Sequence, residues 1–292
     1  MRLPSSWQFE AIGTTWNIYT EQPLQREQQQ LIVQHIELFD RAFSRFLADS
    51  IVSKLARDGG KARFDKRLHA DKMFAIYDKL YHGTSGAMTP LVGEGLAAAG
   101  YDETYKLHQP TKIVVPVALD TIVEHDANTL SLAEPALLDF GAAGKGHLVD
   151  LLAGMLQEQG VQFFTIDASG DIYHQSNEYL TVGLENPLDT TKVIGSTSIR
   201  DQAICSSATN RRAWGNFHHV LDGRSGAPTN DIIATWAIAD SCMVADALAT
   251  ALFFVSPERA ANIQPGGAYI RVTKTGKIEM NKAMESRVKL FV

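Results

Sequence analysis

The chain has 292 residues, 45% of them hydrophobic and 21% charged, which is enough material for one large or two packed folding units with a real core. A net charge of −6 without any Lys/Arg run argues against a nucleic-acid binder, and two cysteines, Cys205 and Cys242, are too few for a disulfide scaffold or a thiolate metal centre and read as small buried hydrophobes. No run approaches the roughly 18 apolar residues of a membrane-crossing helix, and Met1 to Glu10 hold neither an apolar leader core nor an early Cys for a lipid. The chain as written is therefore expected in the cytoplasm, or in the periplasm if a leader has been lost.

In chain order, residues 8–20 alternate and predict an opening strand that contains Gly13-Thr14-Thr15. Residues 22–48 predict a helix whose apolar positions, Leu31, Ile32, Ile36, Phe39, Phe43 and Phe46, recur at three-to-four spacing and are assigned to core. Residues 49–66 are polar and Gly-containing, a loop or mobile helix; a second helix over 69–81 is closed by His82-Gly83-Thr84-Ser85-Gly86. Two β runs, 112–118 and 129–132, are joined through the turn at 124–128. The loop 137–146 leads into a helix over 145–159 that ends at Gly160, and 161–166 predicts a buried strand opening into the turn Asp167-Ala-Ser-Gly-Asp171 and a further strand. Strands over 191–205, 216–222 and 233–239 precede a helix over 242–254, and the tail 268–292 predicts a hairpin turning at 273–277. Hairpins mixed with strand–helix units predict an α+β fold, with mixed or antiparallel sheets and packed helices, rather than a doubly wound parallel sheet. No repeat or low-complexity tract is present.

Three constellations carry chemistry. Asp246 and Thr250 stand four apart in an otherwise apolar helical segment, so they share one face a turn apart. The bland alternative is a hydroxyl bonded back to the carbonyl four residues earlier beside a salt-bridged Asp. That leaves Asp246 without an evident cation, whereas a hard divalent ion such as Mg²⁺ would satisfy both groups. In the loop Asp139-Phe-Gly-Ala-Ala-Gly-Lys-Gly146, three glycines precede a helix start, where backbone N–H groups and Lys145 could cradle a phosphate, or where the chain simply turns tightly. The spacing matches neither the P-loop nor the dinucleotide fingerprint. His219-x-x-Asp222-x-Arg224-x-Gly226 sets a histidine near a carboxylate on a strand-to-turn pattern, where the imidazole can take a proton from a weak nucleophile. Asp167 and Asp171 read as turn formers at a strand end, a place where ligands are also met.

Five blocks in order, Ile12-Gly-Thr-Thr-Trp16, Asp139 to Asp150, Asp167-Ala-Ser-Gly-Asp-Ile172, His219 to Gly226 and Ala245 to Ala251, make the chain resemble the ApbE family, the FAD:protein FMN transferases. The resemblance implies a single domain over residues 1–292, with a division into two lobes and a ligand cleft between them as the form it takes. It implies FAD as substrate, Mg²⁺ as cofactor, and a Thr or Ser hydroxyl of an acceptor protein attacking the FMN-side phosphorus, with AMP leaving. Carried over by position, Asp246, Thr250 and the backbone oxygen of Ala142 are the expected metal ligands. Ile12, Ala87, Met88, Asp139, Lys145 and Leu221 are the expected FAD contacts, Ala87 and Met88 standing in a Gly86-Ala87-Met88 stretch similar to the family's Gly-Ala-Phe-Asp. His219 and Asp222 are expected to activate the acceptor hydroxyl. The chain departs from the pattern at Thr89, where Asp is usual, at Gly223, where Pro is usual, and at Ala208, where Gly is common. Hydrolysis of FAD to FMN and AMP, or flavin carriage without turnover, are the alternatives.

Overall fold

The computed structural model describes residues 3–215 and 217–291. The chain begins with the hairpin β1 (Ser5–Ala11) and β2 (Thr14–Thr20), followed by α1 (Arg26–Phe43), α2 (Ile51–Asp58), β3 (Gly60–Arg63), α3 (Ala70–Gly83) and α4 (Gly93–Ala98). A short α5 (Leu119–Ile122) leads into the hairpin β4 (Val123–Asp126) and β5 (Thr129–Leu132), and then into α6 (Gly144–Glu158). Next come β6 (Phe164–Asp167), β7 (Ile172–Gln175), β8 (Leu180–Asn186), β9 (Asp189–Ile199) and β10 (Gln202–Ala208). Two-residue strands β11 (Ala213–Trp214) and β12 (Phe217–His218) precede β13 (Ile232–Ala239), α7 (Cys242–Ala251) and α8 (Pro257–Ile263). The hairpin β14 (Ala268–Thr273) and β15 (Ile278–Met280), α9 (Lys282–Glu285) and β16 (Lys289–Leu290) close the chain. The fold is α+β, with antiparallel sheets and packed helices.

The chain divides into two compact units, one formed by residues up to Ile36, Lys145–Ala208 and those from Asp231 onward, the other by Glu37–Gly144 and Thr209–Asn230. In the first, eight strands pair in the order β1-β2-β6-β7-β10-β13-β14-β15, and β16-β9-β8 form a second sheet. β13 is buried along nearly its whole length, as expected of a central strand covered on both faces. Its Thr235 hydroxyl donates to the Ala249 carbonyl at 2.6 Å, tying α7 to the sheet. A core of Leu184, Ile199, Ile204, Trp236, Ile238 and Ile270 fills one side.

The second unit holds the sheet β3-β5-β4 and the ribbon β11-β12. Phe43 packs on Phe64 and Phe140, and Phe74 packs on Phe64, so the helical phenylalanines are core as the periodicity predicts. Leu96, Ala99, Tyr101, Trp214, Phe217 and Leu221 form a separate cluster.

Differences from the sequence expectation fall at turns. The single strand expected over 8–20 is a hairpin, because Ile12 and Gly13 both take positive φ, 42° and 76°, and reverse the chain. The strand expected over 191–205 is most of β9 and the first four residues of β10, broken where Asp201 takes φ 51°. Residues 49–66 hold α2, capped by the Ser50 hydroxyl accepting from Ser53 N–H, and β3. Residues 112–118 run without strand pairing among the described residues, with Ile113, Val115 and Val117 exposed. The strand expected over 216–222 is confined to β12 and an isolated bridge from Leu221 to Pro228; residue 216 lies outside the described residues.

Candidate active site

In the first unit, α6 and α7 cross at Gly146. A Cβ there would stand 2.3 Å from the Cys242 carbonyl oxygen and 2.7 Å from Asp246 Cβ, so only glycine admits this approach. Each helix then receives a carboxylate from the other at its N-terminus. Asp246 accepts from the Gly146 N–H at 2.9 Å, and Asp150 accepts from the N–H groups of Cys242 and Met243 at 2.7 and 3.0 Å and from the Ser241 hydroxyl at 2.6 Å. A carboxylate at a helix N-terminus satisfies orphan donors and meets the positive end of the dipole. The motif's Gly146, Asp150 and Asp246 thus first serve to fix the crossing that presents Asp246.

The turn after β6 adds a second carboxyl. The Asp167 side chain accepts from the Gly170 N–H at 3.0 Å, and Ser169, with φ 54°, donates to the Thr15 carbonyl at 2.8 Å while accepting from the Thr14 hydroxyl at 2.6 Å. Asp167 is therefore a turn former. Asp171 is different: it is fully buried, forms an ion pair with Lys145, and its carboxyl lies against that of Asp246. Burial first, and then the Asp171 charge, push the Asp246 carboxyl well above the usual carboxylate range. Burial works against the Lys145 ammonium, but Asp171 and Asp246 outweigh it and hold the proton on. Thr250 follows Asp246 by one turn on the same face of α7, and among the described residues its hydroxyl makes no hydrogen bond, so the back-bonded alternative is not the one adopted. Cys205 and Cys242 are buried thiols, Sγ to Sγ 3.5 Å, and burial raises both pKa values, that of Cys242 to about 12.

The second unit carries the remaining expected residues. The Asp139 carboxylate is spent within the protein, on Arg45 Nε at 2.6 Å and the Gly141 N–H at 2.7 Å. Burial opposes ionisation of Asp139, but Arg45 prevails and holds it below its ordinary value. Ala143 and Gly144 N–H groups turn back to the Phe140 carbonyl. The glycine loop therefore uses most of its N–H groups internally and is not an open N–H cradle. Because the Gly146 N–H goes to Asp246, the Ala142 carbonyl, its usual acceptor four residues back, has no partner among the described residues.

His219 is half-buried, and its N–H and Nδ1 both meet the Arg212 carbonyl, at 3.3 and 3.4 Å. A carbonyl only accepts, so Nδ1 carries the proton and Nε2 presents the lone pair. Burial, followed by the Arg212 charge, pushes the imidazole down to about 4, so it is neutral near pH 7. His218 is used structurally, on the Thr229 carbonyl at 2.7 Å. Asp222 binds Arg224 through both oxygens, at 2.9 Å to Nε and 2.5 Å to Nη2, and accepts from the Arg224 N–H at 2.9 Å. No hydrogen bond joins His219 to Asp222.

Ala87 and Met88 are buried, as is Leu221. The Gly223 N–H donates to the Ala87 carbonyl at 2.8 Å, and a Cβ at Gly223 would stand 2.5 Å from Thr89 Cγ2 and 2.7 Å from the Gly86 carbonyl. The departures at Thr89 and Gly223 thus compensate each other: the methyl of one occupies the space the other leaves. Sequence reasoning missed Arg45, 94 positions from Asp139, and the Lys145–Asp171 pair, 26 positions apart, which leave no local pattern; it also missed Arg212, seven positions before His219. Asp150 stood within a quoted block without an assigned role.

Among the described residues no group of three or more His, Cys, Asp or Glu side chains is arranged as a metal centre, and no helix is long and apolar enough to cross a membrane. The sequence profile of the ApbE family matches residues 12–267. A FAD:protein FMN transferase from Vibrio cholerae is 27% identical over 275 residues, covering 85% of this chain and 80% of its own length. Another from Klebsiella pneumoniae is 31% identical over 147 residues, and the match spans 46% of that relative's length. In fold, the chain is similar to the flavin transferase ApbE of Vibrio cholerae, with a TM-score of 0.79 at 23% identity over 97% of this chain and 98% of that one. The ApbE protein of Thermotoga maritima gives 0.82 at 20% identity with the same coverage. With the family profile matched over residues 12–267, this chain belongs to the ApbE family.

Proposed function

We propose that the protein is a Mg²⁺-dependent FAD:protein FMN transferase. The observation that carries this reading is the Asp246–Thr250 face of α7, a buried carboxyl and an unpartnered hydroxyl one turn apart on a helix that is otherwise apolar. These hard oxygens fit Mg²⁺, which takes few protein ligands and keeps places for phosphate and water, and the family resemblance adds the backbone oxygen of Ala142 as a third ligand. Bound there, Mg²⁺ would neutralise charge on the diphosphate and on the departing AMP.

The chain's own groups do the rest. Lys145 lends its held ammonium to the phosphate end, and Asp139, through Arg45 and Gly141, sets the shape of the loop before α6. Ile12, Ala87, Met88 and Leu221 are the flavin-nucleotide contacts of this reading. His219, neutral with a free Nε2, takes the proton from the acceptor Thr or Ser hydroxyl as its oxygen bonds to the FMN-side phosphorus; the P–O bond to AMP breaks and AMP leaves. Asp222 enters by closing the loop that follows His219.

The test is incubation of the purified protein with FAD, Mg²⁺ and an acceptor protein, read by flavin fluorescence after denaturing electrophoresis and by AMP release. Flavin retained on the acceptor with matching AMP is expected. Free FMN and AMP without labelled acceptor would make the protein a pyrophosphatase, and intact FAD would make it a carrier.

A further inference from the structure

Asp171 lies outside the expected set of metal ligands, yet it shares a buried cluster with Asp246 and Lys145. Two buried carboxyls, Asp171 and Asp246, 0% and 5% exposed, lie against each other, and the Lys145 ammonium pairs with the first. Lys145 engages Asp171 Oδ2, while Asp171 Oδ1 is buried and has no hydrogen-bond partner. Thr250 supplies an independent sign of a ligand, a hydroxyl on the Asp246 face of α7 that no described residue engages. The placement of Asp171 is deliberate: the Asp167 turn, the left-handed Ser169 and its bonds to Thr14 and Thr15 hold the β6–β7 corner in one conformation.

We propose that Asp171 is a further ligand of the divalent metal centre, binding the cation through Oδ1 beside Asp246 while Lys145 stays on Oδ2. This rests on the metal reading above. The centre then holds two carboxylates and one ammonium, net −1, so that a single dication brings it to +1, a sign suited to receiving a diphosphate. Lys145 is at once a competitor of the metal for Asp171 and a fixed positive charge at its side.

The test measures Mn²⁺ binding to the FAD-free, full-length protein by the EPR signal of free Mn²⁺, with water-proton relaxation counting the waters left on the bound ion. Asp171→Asn is expected to weaken binding on the order of 10- to 100-fold and to leave one additional water on Mn²⁺. Lys145→Met is expected to tighten binding several-fold, and that gain should shrink in the Lys145→Met/Asp171→Asn double variant, where only the repulsion by the ammonium and not its competition for Asp171 is relieved. The double variant removes both members of the Lys145–Asp171 pair together, so it keeps the question answerable if Asp171→Asn folds poorly. An affinity and water count in Asp171→Asn equal to the parent, with Asp246→Asn weakened, would overturn the role of Asp171 and leave the metal reading standing. An equal gain from Lys145→Met in both backgrounds would overturn it as well. A parent protein that does not bind Mn²⁺ at millimolar concentration would remove the metal reading and this inference with it.

Discussion

Asp246 and Asp222 are the same residue type in neighbouring motif blocks, yet they sit in opposite circumstances. Asp222 has its cation two residues away; Arg224 takes both oxygens and the Arg224 N–H is bound as well, so the carboxylate closes a turn. Burial acts to raise its pKa, and Arg224 overrides that and keeps it below the ordinary value. Asp246 has no cation on its own element, and it is held between two crossed helices against a second carboxyl. An aspartate whose neighbour in sequence neutralises it has done its work in the fold. One that is buried beside a second carboxyl with a single ammonium at hand holds its proton in the free protein, and in the function proposed above it exchanges that proton for a cation.

The largest expected effect tests that contrast at Asp246. Since its carboxyl is already pushed well above the usual range in the free protein, Asp246→Asn mimics the form the fold tolerates and keeps an acceptor for the Gly146 N–H. Thermal stability should therefore hold or rise slightly, while Mg²⁺-dependent AMP release should fall at least about a thousandfold, the equivalent of several kcal/mol of transition-state charge stabilisation. Retained rate would remove Asp246 from the metal; a collapsed melting temperature would mean that its charge serves the fold.

Next in size is His219. Its Nδ1 proton is fixed on the Arg212 carbonyl, so His219→Ala should lower turnover by about 10²- to 10⁴-fold and change FAD affinity little. Equal loss of both would make His219 a cofactor-positioning residue. The base is the neutral form, present above its folded pKa of about 4, so the rate should fall only as pH drops through about 4, well below the roughly 6.5 of an unperturbed histidine. Linkage has the same sign. Between about 6.5 and 4 the unfolded chain binds the proton and the folded one does not, so His219 reduces stability as pH falls through that window and contributes nothing further below it. Arg212→Ala should move the acid limb of the rate upward.

Much of this contrast is legible in the amino-acid sequence, and the remainder has identifiable reasons for being hidden. Asp246 and Thr250 share a helix face by spacing alone, and α7, α6 and β13 follow from periodicity. The turns were the weak point: Ile12 takes positive φ although β-branched residues avoid it, so the β1–β2 hairpin carries no usual turn signal. Asp139, an FAD contact by resemblance, is engaged by Arg45, 94 positions away, a partner no local pattern announces. The Asp171–Lys145 pair is likewise a product of topology, since it forms only once β6 and β7 join the sheet beside α6.

A backbone prediction in the second unit follows in size. Restoring the family's usual residue, Gly223→Pro, removes the N–H given to Ala87 and places ring atoms where Thr89 and the Gly86 carbonyl already stand. About 3 kcal/mol or more of destabilisation is expected from the lost bond and the overpacking, read by chemical denaturation. Combining it with Thr89→Ala should recover part of the loss, and no recovery would mean that the two positions do not compensate.

The smallest effect is expected at Asp222, and it is the sharpest check on the comparison because the sequence placed Asp222 beside His219 as a partner in proton transfer. The structure gives its oxygens to Arg224, whose guanidinium is 53% exposed, and pairs this open to solvent are worth about 0–1 kcal/mol. Asp222→Asn keeps an oxygen to accept the Arg224 N–H, so the turn from Asp222 to Ala227 should close as before. Stability should change by no more than about 1 kcal/mol, and turnover by less than about tenfold, with the pH profile unmoved. A loss of about a hundredfold or a shifted acid limb would show that Asp222 leaves Arg224 during catalysis to orient or accept a proton from His219. The division between an aspartate that builds a loop and one that awaits a cation would then have to be redrawn at this residue.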